Sequence, residues 1–284
     1  MEKKVALITG ASDGIGAETA RAIKKSGWDV AVIGRNKQKT QAVAREIGAP
    51  FYVADFASLA QVATLAEQLL RDYPRIDALA NNAGGIFNKQ DPTQDGHEIT
   101  FQVNHLAHYL LTRLMMDRLI KSNAMVINTS SIAHRLMGNW FNINDLDMRN
   151  FSSVHLAYGN AKLANILFTR ELHRRFHDKG ISAAAFHPGV VATSFAKDVR
   201  SPMHYVYNTA IKNMPGIKTP AQGAETLVWL LLGQAGTDWM SGEYYADRKL
   251  APVSRKGGDA QLAKALWEKS EELCKAFLPE QQAV

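Results

Sequence analysis

Tyr158 and Lys162 are the residues of this sequence whose types and spacing most directly suggest chemistry. They are four positions apart in a stretch with helical periodicity, so their side chains share one helical face. An ammonium group beside a phenol stabilises the phenolate and lowers the tyrosine pKa toward neutrality. The pair therefore predicts a group that can exchange a proton with an alcohol or carbonyl oxygen. Because this spacing also arises often by chance, the prediction depends on the surrounding sequence.

A glycine-rich turn at residues 9–16, TGASDGIG, follows the first strand-like segment and precedes a helical one. Glycines at a strand-to-helix turn let the backbone approach a pyrophosphate, which then lies at the N-terminus of the helix. The spacing is G-x-x-x-G-x-G rather than G-x-G-x-x-G, and a merely tight turn is the alternative. The residues expected to contact a dinucleotide here are Gly10, Ser12, Asp13, Gly14, Ile15 and Gly16.

Arg35 follows the second strand-like segment, at the position that selects between the two nicotinamide dinucleotides. In NAD sites an acidic residue about 20 residues beyond the glycines binds the ribose 2′-hydroxyl. This sequence has no Asp or Glu there, and an arginine pairs with a 2′-phosphate in a bidentate manner. We therefore predict NADP as the preferred cofactor and keep NAD as an alternative, in which Arg35 points into water.

Short apolar segments alternate with helical ones along the whole chain. The strand-like segments are nearly continuously apolar, as in a parallel sheet buried on both faces. They lie at residues 5–8, 30–33, 51–54, 78–80, 125–128, 182–186 and 243–246. Helical stretches are predicted at residues 17–26, 59–72, 99–120, 157–177 and 221–232, and a C-terminal surface helix at 261–277. The pattern predicts one doubly wound α/β (Rossmann) domain over residues 1–284, with a seven-stranded, mostly parallel sheet and helices on both faces.

Two connections are longer than this alternation requires. They span residues 134–155 and 194–219, and each follows the carboxyl end of a strand, where such sheets bind ligands. Their aromatic and thioether side chains form the wall of an apolar substrate pocket in one interpretation and a small core of the loops themselves in the other. These side chains are Met137, Trp140, Phe141, Met203, Tyr205 and Tyr207.

Further motifs occur in chain order around the tyrosine and lysine. They are Asn81-Asn82-Ala83-Gly84 after the fourth strand, Asn104 in the next helix, Ser130-Ser131 after the fifth strand, and Pro188-Gly189 with Thr193 after the sixth. Together with the glycine turn, this ordered set resembles the short-chain dehydrogenase/reductase superfamily. Residues 128–134 and 156–165 are most similar to the retinol-dehydrogenase-like branch, which includes WW-domain-containing oxidoreductases.

The resemblance implies a role for each matched residue. Ser131 would hydrogen-bond the reacting oxygen, Tyr158 would be the general acid/base, and Lys162 would bind the nicotinamide ribose and lower the tyrosine pKa. Asn104 would anchor a water molecule in a proton relay behind the lysine. In the cofactor site, Asp55 would contact the adenine, Asn82, Ala83 and Gly84 the adenosine half, and Pro188, Gly189, Val191 and Thr193 the nicotinamide end. The choice of Ser131 over Ser130 rests on the family pattern, since only one of two successive residues in a strand can face the site.

Composition excludes several other classes of protein. A single cysteine, Cys274, excludes a disulfide scaffold and indicates a reducing compartment, and we expect it to be a packed thiol. The net charge of +6 is dispersed among acids, without the basic stripe of a nucleic-acid binder. The longest apolar run, residues 227–232, is far too short for a membrane span, and no signal peptide is recognisable. The histidines show no ligand spacing, so we predict no metal site, and we expect His105, His108, His173 and His177 to be surface residues.

These observations predict a cytoplasmic NADP(H)-dependent oxidoreductase that interconverts an apolar aldehyde or ketone and its alcohol. A homodimer is expected by analogy with the family. Membrane-bound retinol dehydrogenases begin with an apolar anchor that this sequence does not show, so neither membrane attachment nor a retinoid substrate is expected. Two alternatives are a non-catalytic NADP-binding sensor or scaffold, and an alkene reductase resembling light-dependent protochlorophyllide reductase.

Overall fold

The predicted alternation of strands and helices is confirmed by the computed structural model, which describes residues 3–87, 92–148, 153–191 and 217–279. The strands are β1 (Val5–Thr9), β2 (Asp29–Gly34), β3 (Phe51–Val53), β4 (Ala78–Asn81), β5 (Met125–Thr129), β6 (Ser182–His187), β7 (Tyr244–Ala246) and β8 (Lys249–Leu250). In the described part of the chain they form one eight-stranded sheet in the order β3-β2-β1-β4-β5-β6-β7-β8. All neighbours are parallel except β7 and β8.

The sheet has one strand more than the seven predicted. The additional strand, β8, contains two exposed residues and therefore gives no apolar signal in the sequence. It forms because Asp247 and Arg248 adopt positive φ angles of 50° and 61°, which turn the chain back on β7. Such a turn joins antiparallel strands directly, whereas parallel strands need a crossover.

The helices begin at the caps that their sequences supply. Asp13, Ser58, Ser153 and Asp259 each accept a backbone N–H at a helix N-terminus, and Thr219 forms a capping box with Gln222. The helices are α1 (Gly14–Lys25), α2 (Lys37–Ile47), α3 (Leu59–Asp72), α4 (Ile99–Phe101, a π-helical segment Gln102–Leu106, and Ala107–Leu114), α5 (Met116–Lys121), α6 (Ala133–Leu136), α7 (Val154–Phe176), α8 (Pro220–Leu232) and α9 (Ala260–Leu273). Residues 99–120 are thus interrupted by the π-helical segment and by Met115, rather than forming the single helix predicted.

The helices cover both faces of the sheet. Apolar side chains of α1, α2 and α8 form one core with residues of β1 and β2, including Ile23, Val32 and Leu230. On the other face, α3, α4, α7 and α9 form a second core, to which Trp267 of α9 contributes. Cys274, directly after α9, is buried in this second core, which confirms the packed thiol.

His105 and His108 contradict the sequence prediction, because both rings are buried rather than exposed. They lie in and just after the π-helical segment, where His108 contacts Thr9 of β1 and His105 contacts Asn165 of α7 and Ser270 of α9. Burial lowers the pKa of His105 to about 4 and that of His108 to about 3, so both rings are neutral at physiological pH. The other two histidines lie nearer the surface: His177 is exposed and His173 is half-buried.

The order of the strands creates a crevice at the carboxyl edge of the sheet. The chain proceeds from β1 outward to β2 and β3 and then returns to place β4 on the other side of β1. The connections leaving β1 and β4 therefore separate, and ligands of open α/β sheets bind at such a point. In the residues that the structure describes, no helix combines the length and apolar character needed to cross a membrane.

Candidate active site

A cleft of about 610 Å³ runs along the carboxyl ends of β1 to β6. Sequence-predicted residues on its walls are Gly10, Ser12, Asp13, Gly14, Ile15, Gly16, Arg35, Asp55, Asn82, Ala83, Gly84, Ser131, Tyr158, Lys162, Pro188, Gly189 and Val191. Asn104 is buried behind this wall, and Thr193 lies outside the described residues. The fold therefore brings residues that are far apart in sequence into one cleft of the size that small-molecule ligands occupy.

The glycine turn keeps the backbone open at one end of this cleft. Gly10 and Gly14 have positive φ angles of 66° and 56°, and Asp13 Oδ1 accepts the Gly14 N–H at 2.8 Å. A Cβ at Gly10 would lie 2.8 Å from Ala83 Cα, and one at Gly16 would lie 2.8 Å from Asn82 Nδ2. The turn can therefore pack against the segment after β4 only because these positions lack side chains.

Thr9 and Asn82 join the two connections that separate at the crevice. The Thr9 hydroxyl oxygen accepts the N–H groups of Asn82 and Ala83 at 2.8 and 2.9 Å, and Asn82 Nδ2 donates to the Thr9 carbonyl at 3.0 Å. Thr129 at the end of β5 donates its hydroxyl to Asn82 Oδ1 at 3.2 Å. Asn82 therefore fixes the edge of three strands, and its neighbour Asn81 is buried and bonds Asn128.

Arg35 and Asp55 lie on the cleft wall with Lys39, which the sequence reasoning did not single out. Lys39 Nζ pairs with Asp13 Oδ2 at 3.5 Å, so it partly neutralises a carboxylate in the glycine turn. Arg35 makes no ion pair among the described residues, and the residue is exposed. Lys39 is the third residue of α2, and a lysine so soon after Arg35 in the sequence is the signal that could have identified it.

Ser130 and Ser131 have different surroundings. The Ser130 hydroxyl is buried and donates to the Lys162 carbonyl at 2.7 Å. The Ser131 hydroxyl accepts the Ala133 N–H at 3.2 Å, and the residue is only partly buried on the cleft wall. Its carbonyl accepts His134 Nδ1 at 2.6 Å. The Ser130 hydroxyl hydrogen is thus used in a bond to α7. The Ser131 hydroxyl only accepts a bond there, so its hydrogen can still be donated to a ligand in the cleft.

Tyr158 and Lys162 face the cleft from the same side of α7, as their spacing predicted. The Lys162 ammonium lies 5.5 Å from the centre of the Tyr158 ring and donates to the Thr129 carbonyl at 3.1 Å. The lysine is almost completely buried, and this burial lowers its pKa to about 7. An ammonium in such a place interacts strongly with a phenolate or a ribose hydroxyl, because little water competes with them.

Asn104 lies behind Lys162 in the π-helical segment of α4. Its amide donates to the carbonyls of Gly85 and Thr100 at 2.9 and 2.8 Å, and Oδ1 accepts the Gly85 N–H at 3.2 Å. The side chain therefore fixes the segment that follows β4. Its backbone carbonyl accepts from His108 Nδ1 at 3.1 Å and from Asn165 Nδ2 at 3.0 Å.

The end of the cleft beyond Tyr158 is mainly apolar. It is lined by Ile86, Phe87, Ile132, Leu136, Met137, His155 and Val190. Leu136 is 70% exposed, so apolar surface continues to the mouth of the cleft. Of the insertion side chains, Met137 is a pocket wall, Phe141 belongs to the second core, and Trp140 is 63% exposed. Met203, Tyr205 and Tyr207 lie outside the described residues, as does most of the 194–219 connection.

No group of three or more potential metal-ligating side chains occurs within the described ranges. Ser131, Tyr158 and Lys162 on the cleft wall carry groups that can form hydrogen bonds and exchange protons. Hydride chemistry requires a cofactor, and the glycine turn with its capped helix is where its pyrophosphate would bind.

The short chain dehydrogenase family model matches residues 4–204, and the chain belongs to this family. The protein is therefore an oxidoreductase with a nicotinamide-binding Rossmann fold, similar to the retinol-dehydrogenase-like branch. It is 41% identical over 274 residues to DnrU of Streptomyces sp. (strain C5), a proposed daunorubicin C-13 ketoreductase, with 94% of this chain and 91% of DnrU covered. It is 37% identical over 279 residues to mouse retinol dehydrogenase 12, covering 95% and 86% of the two chains.

Solved structures support the same assignment. A Mycobacterium paratuberculosis protein of uncharacterised function superposes with a TM-score of 0.76 at 31% identity, covering 96% of this chain and 93% of that one. A metagenomic short-chain oxidoreductase in complex with NADP has a TM-score of 0.61 at 25% identity, covering 84% and 94%. The family and the fold predicted from the sequence are therefore confirmed.

Proposed function

We propose that the protein is an NADP(H)-dependent oxidoreductase that interconverts an apolar aldehyde or ketone and the corresponding alcohol. The observation that carries the proposal is the shared cleft wall of Ser131, Tyr158 and Lys162, with the lysine ammonium 5.5 Å from the tyrosine ring. This arrangement stands beside a glycine turn open to a dinucleotide. When bound, the nicotinamide supplies the hydride that passes to or from the carbon of the substrate.

In this proposal the side chains bind the substrate oxygen and manage its proton. The Ser131 hydroxyl donates a hydrogen bond to the reacting oxygen, and the Tyr158 hydroxyl gives that oxygen its proton during reduction. Lys162 stabilises the phenolate that remains, because its ammonium lies over the ring in a site that excludes water. Lys162 also holds the nicotinamide ribose. Asn104 supports the proton route behind the lysine.

A Cβ at Gly10 or Gly16 would collide with the segment after β4 or with the turn itself, so glycine at both positions keeps the backbone of the turn close-packed on the cleft wall. In the proposal, Gly10, Gly14, Gly16 and their neighbours Ser12, Asp13 and Ile15 receive the pyrophosphate. The adenosine half lies against Asp55, Asn82, Ala83 and Gly84, and the nicotinamide end against Pro188, Gly189, Val191 and Thr193. These assignments follow the family pattern and the common cleft that most of the residues line.

The preference for NADP rests on Arg35, which lines the cleft without a carboxylate partner among the described residues. Lys39 adds a second positive charge nearby and offsets Asp13. A guanidinium and an ammonium favour a 2′-phosphate over a hydroxyl. The NADP bound to the related metagenomic enzyme supports this choice.

The proposed substrate class follows from the apolar end of the cleft. Ile132, Leu136 and Met137 present hydrocarbon beside Ser131, and Phe87 faces the same space. Relatives named as retinol dehydrogenases and as a ketoreductase are consistent with an apolar alcohol or carbonyl compound.

A cytoplasmic location and a homodimer stay predictions. Light scattering after gel filtration tests the homodimer.

The decisive experiment compares Tyr158→Phe with the wild type. We expect the wild type to oxidise NADPH with at least one member of a panel of apolar aldehydes and ketones. The variant should lose turnover by about 10²-fold or more, the range of general acid catalysis. NADPH binding, followed by nucleotide fluorescence, should persist. Turnover retained by Tyr158→Phe would refute the acid/base assignment, and NADPH binding by a wild type that reduces no carbonyl would favour the sensor or scaffold alternative.

A further inference from the structure

Asn165, one turn beyond Lys162 on α7, is buried and makes three polar contacts. Its Nδ2 donates to the Asn104 carbonyl at 3.0 Å and to the Thr129 carbonyl at 2.9 Å. Carbonyl oxygens only accept hydrogen bonds, so the amide has one orientation, with both its N–H groups on these two carbonyls. Asn165 thereby ties together α4, the end of β5 and α7.

The Thr129 carbonyl is shared between Asn165 and the proposed active-site lysine. Lys162 Nζ donates to this oxygen at 3.1 Å, and Asn165 Nδ2 donates to it at 2.9 Å. A carbonyl oxygen has two lone pairs, so the two donors together occupy it. The position of the Thr129 oxygen determines where the buried ammonium lies, and Asn165 fixes that position from the other side.

The orientation of Asn165 is coupled to the C-terminal helix through His105. Asn165 Oδ1 lies 3.3 Å from His105 Nδ1, and His105 Nε2 lies 3.1 Å from the hydroxyl of Ser270 on α9. The amide oxygen only accepts, so Nδ1 carries the imidazole proton and the Ser270 hydroxyl donates to Nε2. The low pKa of His105 keeps the ring in this neutral form. Helix α9 lies beyond the residues that the family model matches.

We propose that Asn165 is a positioning residue for Lys162, and that α9 takes part through the buried chain from Ser270 to His105 to Asn165. Asn165 touches neither the substrate nor the cofactor in this proposal. It acts by fixing the Thr129 carbonyl, which accepts the hydrogen bond of the Lys162 ammonium beside the Tyr158 ring. The inference rests on the proposed function for its consequence in turnover, whereas its effect on the lysine does not depend on a substrate.

The pKa of Lys162 can be measured without interference from nearby histidines, as the titratable groups around it show. They are Tyr158 on α7, whose ring lies beside the ammonium, and His108 on α4, whose low pKa keeps it uncharged. His105, the other histidine of the network, is likewise neutral. Titration of Lys162 between pH 6 and 11 therefore occurs beside neutral imidazoles, and Tyr158 is the titratable side chain in contact with it.

The test replaces Asn165 with leucine, which has nearly the same size and donates nothing. The matched control is Asn160→Leu, also in the buried part of α7, where the amide contacts Met148 Sδ at 3.5 Å instead of a carbonyl. The pKa of Lys162 is measured in the cofactor-free protein by the 13Cε chemical shift of labelled lysine, assigned with Lys162→Arg. Asn165→Asp, which keeps the shape of the side chain, serves if the leucine variant does not fold.

Asn165→Leu should raise the lysine pKa by about one unit or more, because the released ammonium moves toward water and loses the repulsion of a neighbouring N–H dipole. Asn165→Asp should raise it further, since a carboxylate favours the charged form. Ser270→Ala should shift it in the same direction by less. Asn160→Leu should leave it unchanged. A folded Asn165→Leu or Asn165→Asp protein with the wild-type Lys162 pKa would overturn the proposal. An unchanged Lys162 pKa in Ser270→Ala would show that α9 takes no part in positioning the lysine.

Turnover separates this inference from the proposed function. In an active enzyme, Asn165→Leu should lower kcat/KM by about 10-fold or more, and the pH limb due to Tyr158 should move to higher pH, because the phenol loses its fixed ammonium. A purely structural role would lower the amount of active protein without moving that limb. A lysine shift in a protein that reduces no carbonyl would support the positioning role and refute the proposed function. A wild type that reduces a carbonyl, together with an Asn165→Leu variant whose Lys162 pKa is unchanged, would support the proposed function and refute the positioning role.

Discussion

Gly84 is the position at which a single methyl group should most directly disturb the candidate site. It follows β4 on the cleft wall, and its φ angle is not in the left-handed region, so only space restricts the residue. A Cβ at this position would overlap Asn104 Oδ1 and lie 3.3 Å from Lys162 Nζ. Gly84→Ala therefore forces the Asn104 side chain to move away from its partners.

The cost follows from the hydrogen bonds that Asn104 would lose. Its amide makes three, to the N–H and carbonyl of Gly85 and to the Thr100 carbonyl, at 3.2, 2.9 and 2.8 Å. Leaving a buried polar group without its partner costs about 1–3 kcal/mol. Because some of these bonds can re-form after relaxation, we expect a loss of about 2–4 kcal/mol in the free energy of unfolding. For a chain of this size that corresponds to a decrease of roughly 3–7 °C in Tm.

Gly258→Ala is the matched control, because a Cβ there meets nothing within 4 Å. Calorimetry or urea unfolding should show the control unchanged or slightly stabilised, since alanine restricts the unfolded chain. The Gly84→Ala protein should also bind NADPH more weakly, because the added Cβ lies 3.3 Å from Lys162 Nζ, which holds the nicotinamide ribose in the proposal. Wild-type stability together with wild-type NADPH affinity in Gly84→Ala would refute this account of the cleft wall.

Other variants test the charges and the packing around the cleft. Arg35→Asp should shift the ratio of kcat/KM for NADPH over NADH toward NADH by about 10-fold or more, the equivalent of ~1.4 kcal/mol. The control is Arg45→Asp, on α2 away from the cleft. The same shift in the control would contradict the role of Arg35 in binding the 2′-phosphate. Burial lowers the pKa of Lys162 to about 7 from 10.5, so the unfolded chain binds more protons between these values, and stability due to this group rises with pH across that window. Lys162→Met should flatten this rise in urea unfolding between pH 7 and 10, and an unchanged slope would mean that the lysine is not desolvated. Trp267→Ala should cost about 3–5 kcal/mol, because the ring is 2% exposed and packs on Tyr109 and Phe168, and near-wild-type stability would contradict the packing of α9.

Much of the fold was predictable because its signals are local. Parallel strands buried on both faces require continuous apolar segments, and the first, second, fourth and fifth segments lie where β1, β2, β4 and β5 form. The capping side chains Asp13 and Ser58 precede α1 and α3 in the sequence. In contrast, the strand β8 depends on two residues with positive φ and has no apolar signal.

The amino-acid sequence by itself determined the family, the glycine turn and the common helical face of Tyr158 and Lys162, because each depends on residue type and short spacing. The tertiary structure decided which hydroxyl group can act in the cleft. The Ser130 hydroxyl donates its hydrogen bond to the Lys162 carbonyl, whereas the Ser131 side chain lies on the cleft wall and makes no such bond. His105 and His108 are buried only in the folded structure. There His105 also links Asn165 to Ser270 of α9, which lies 105 positions further along the chain. Burial and hydrogen-bond partners arise from elements distant in the chain, and no local pattern specifies them.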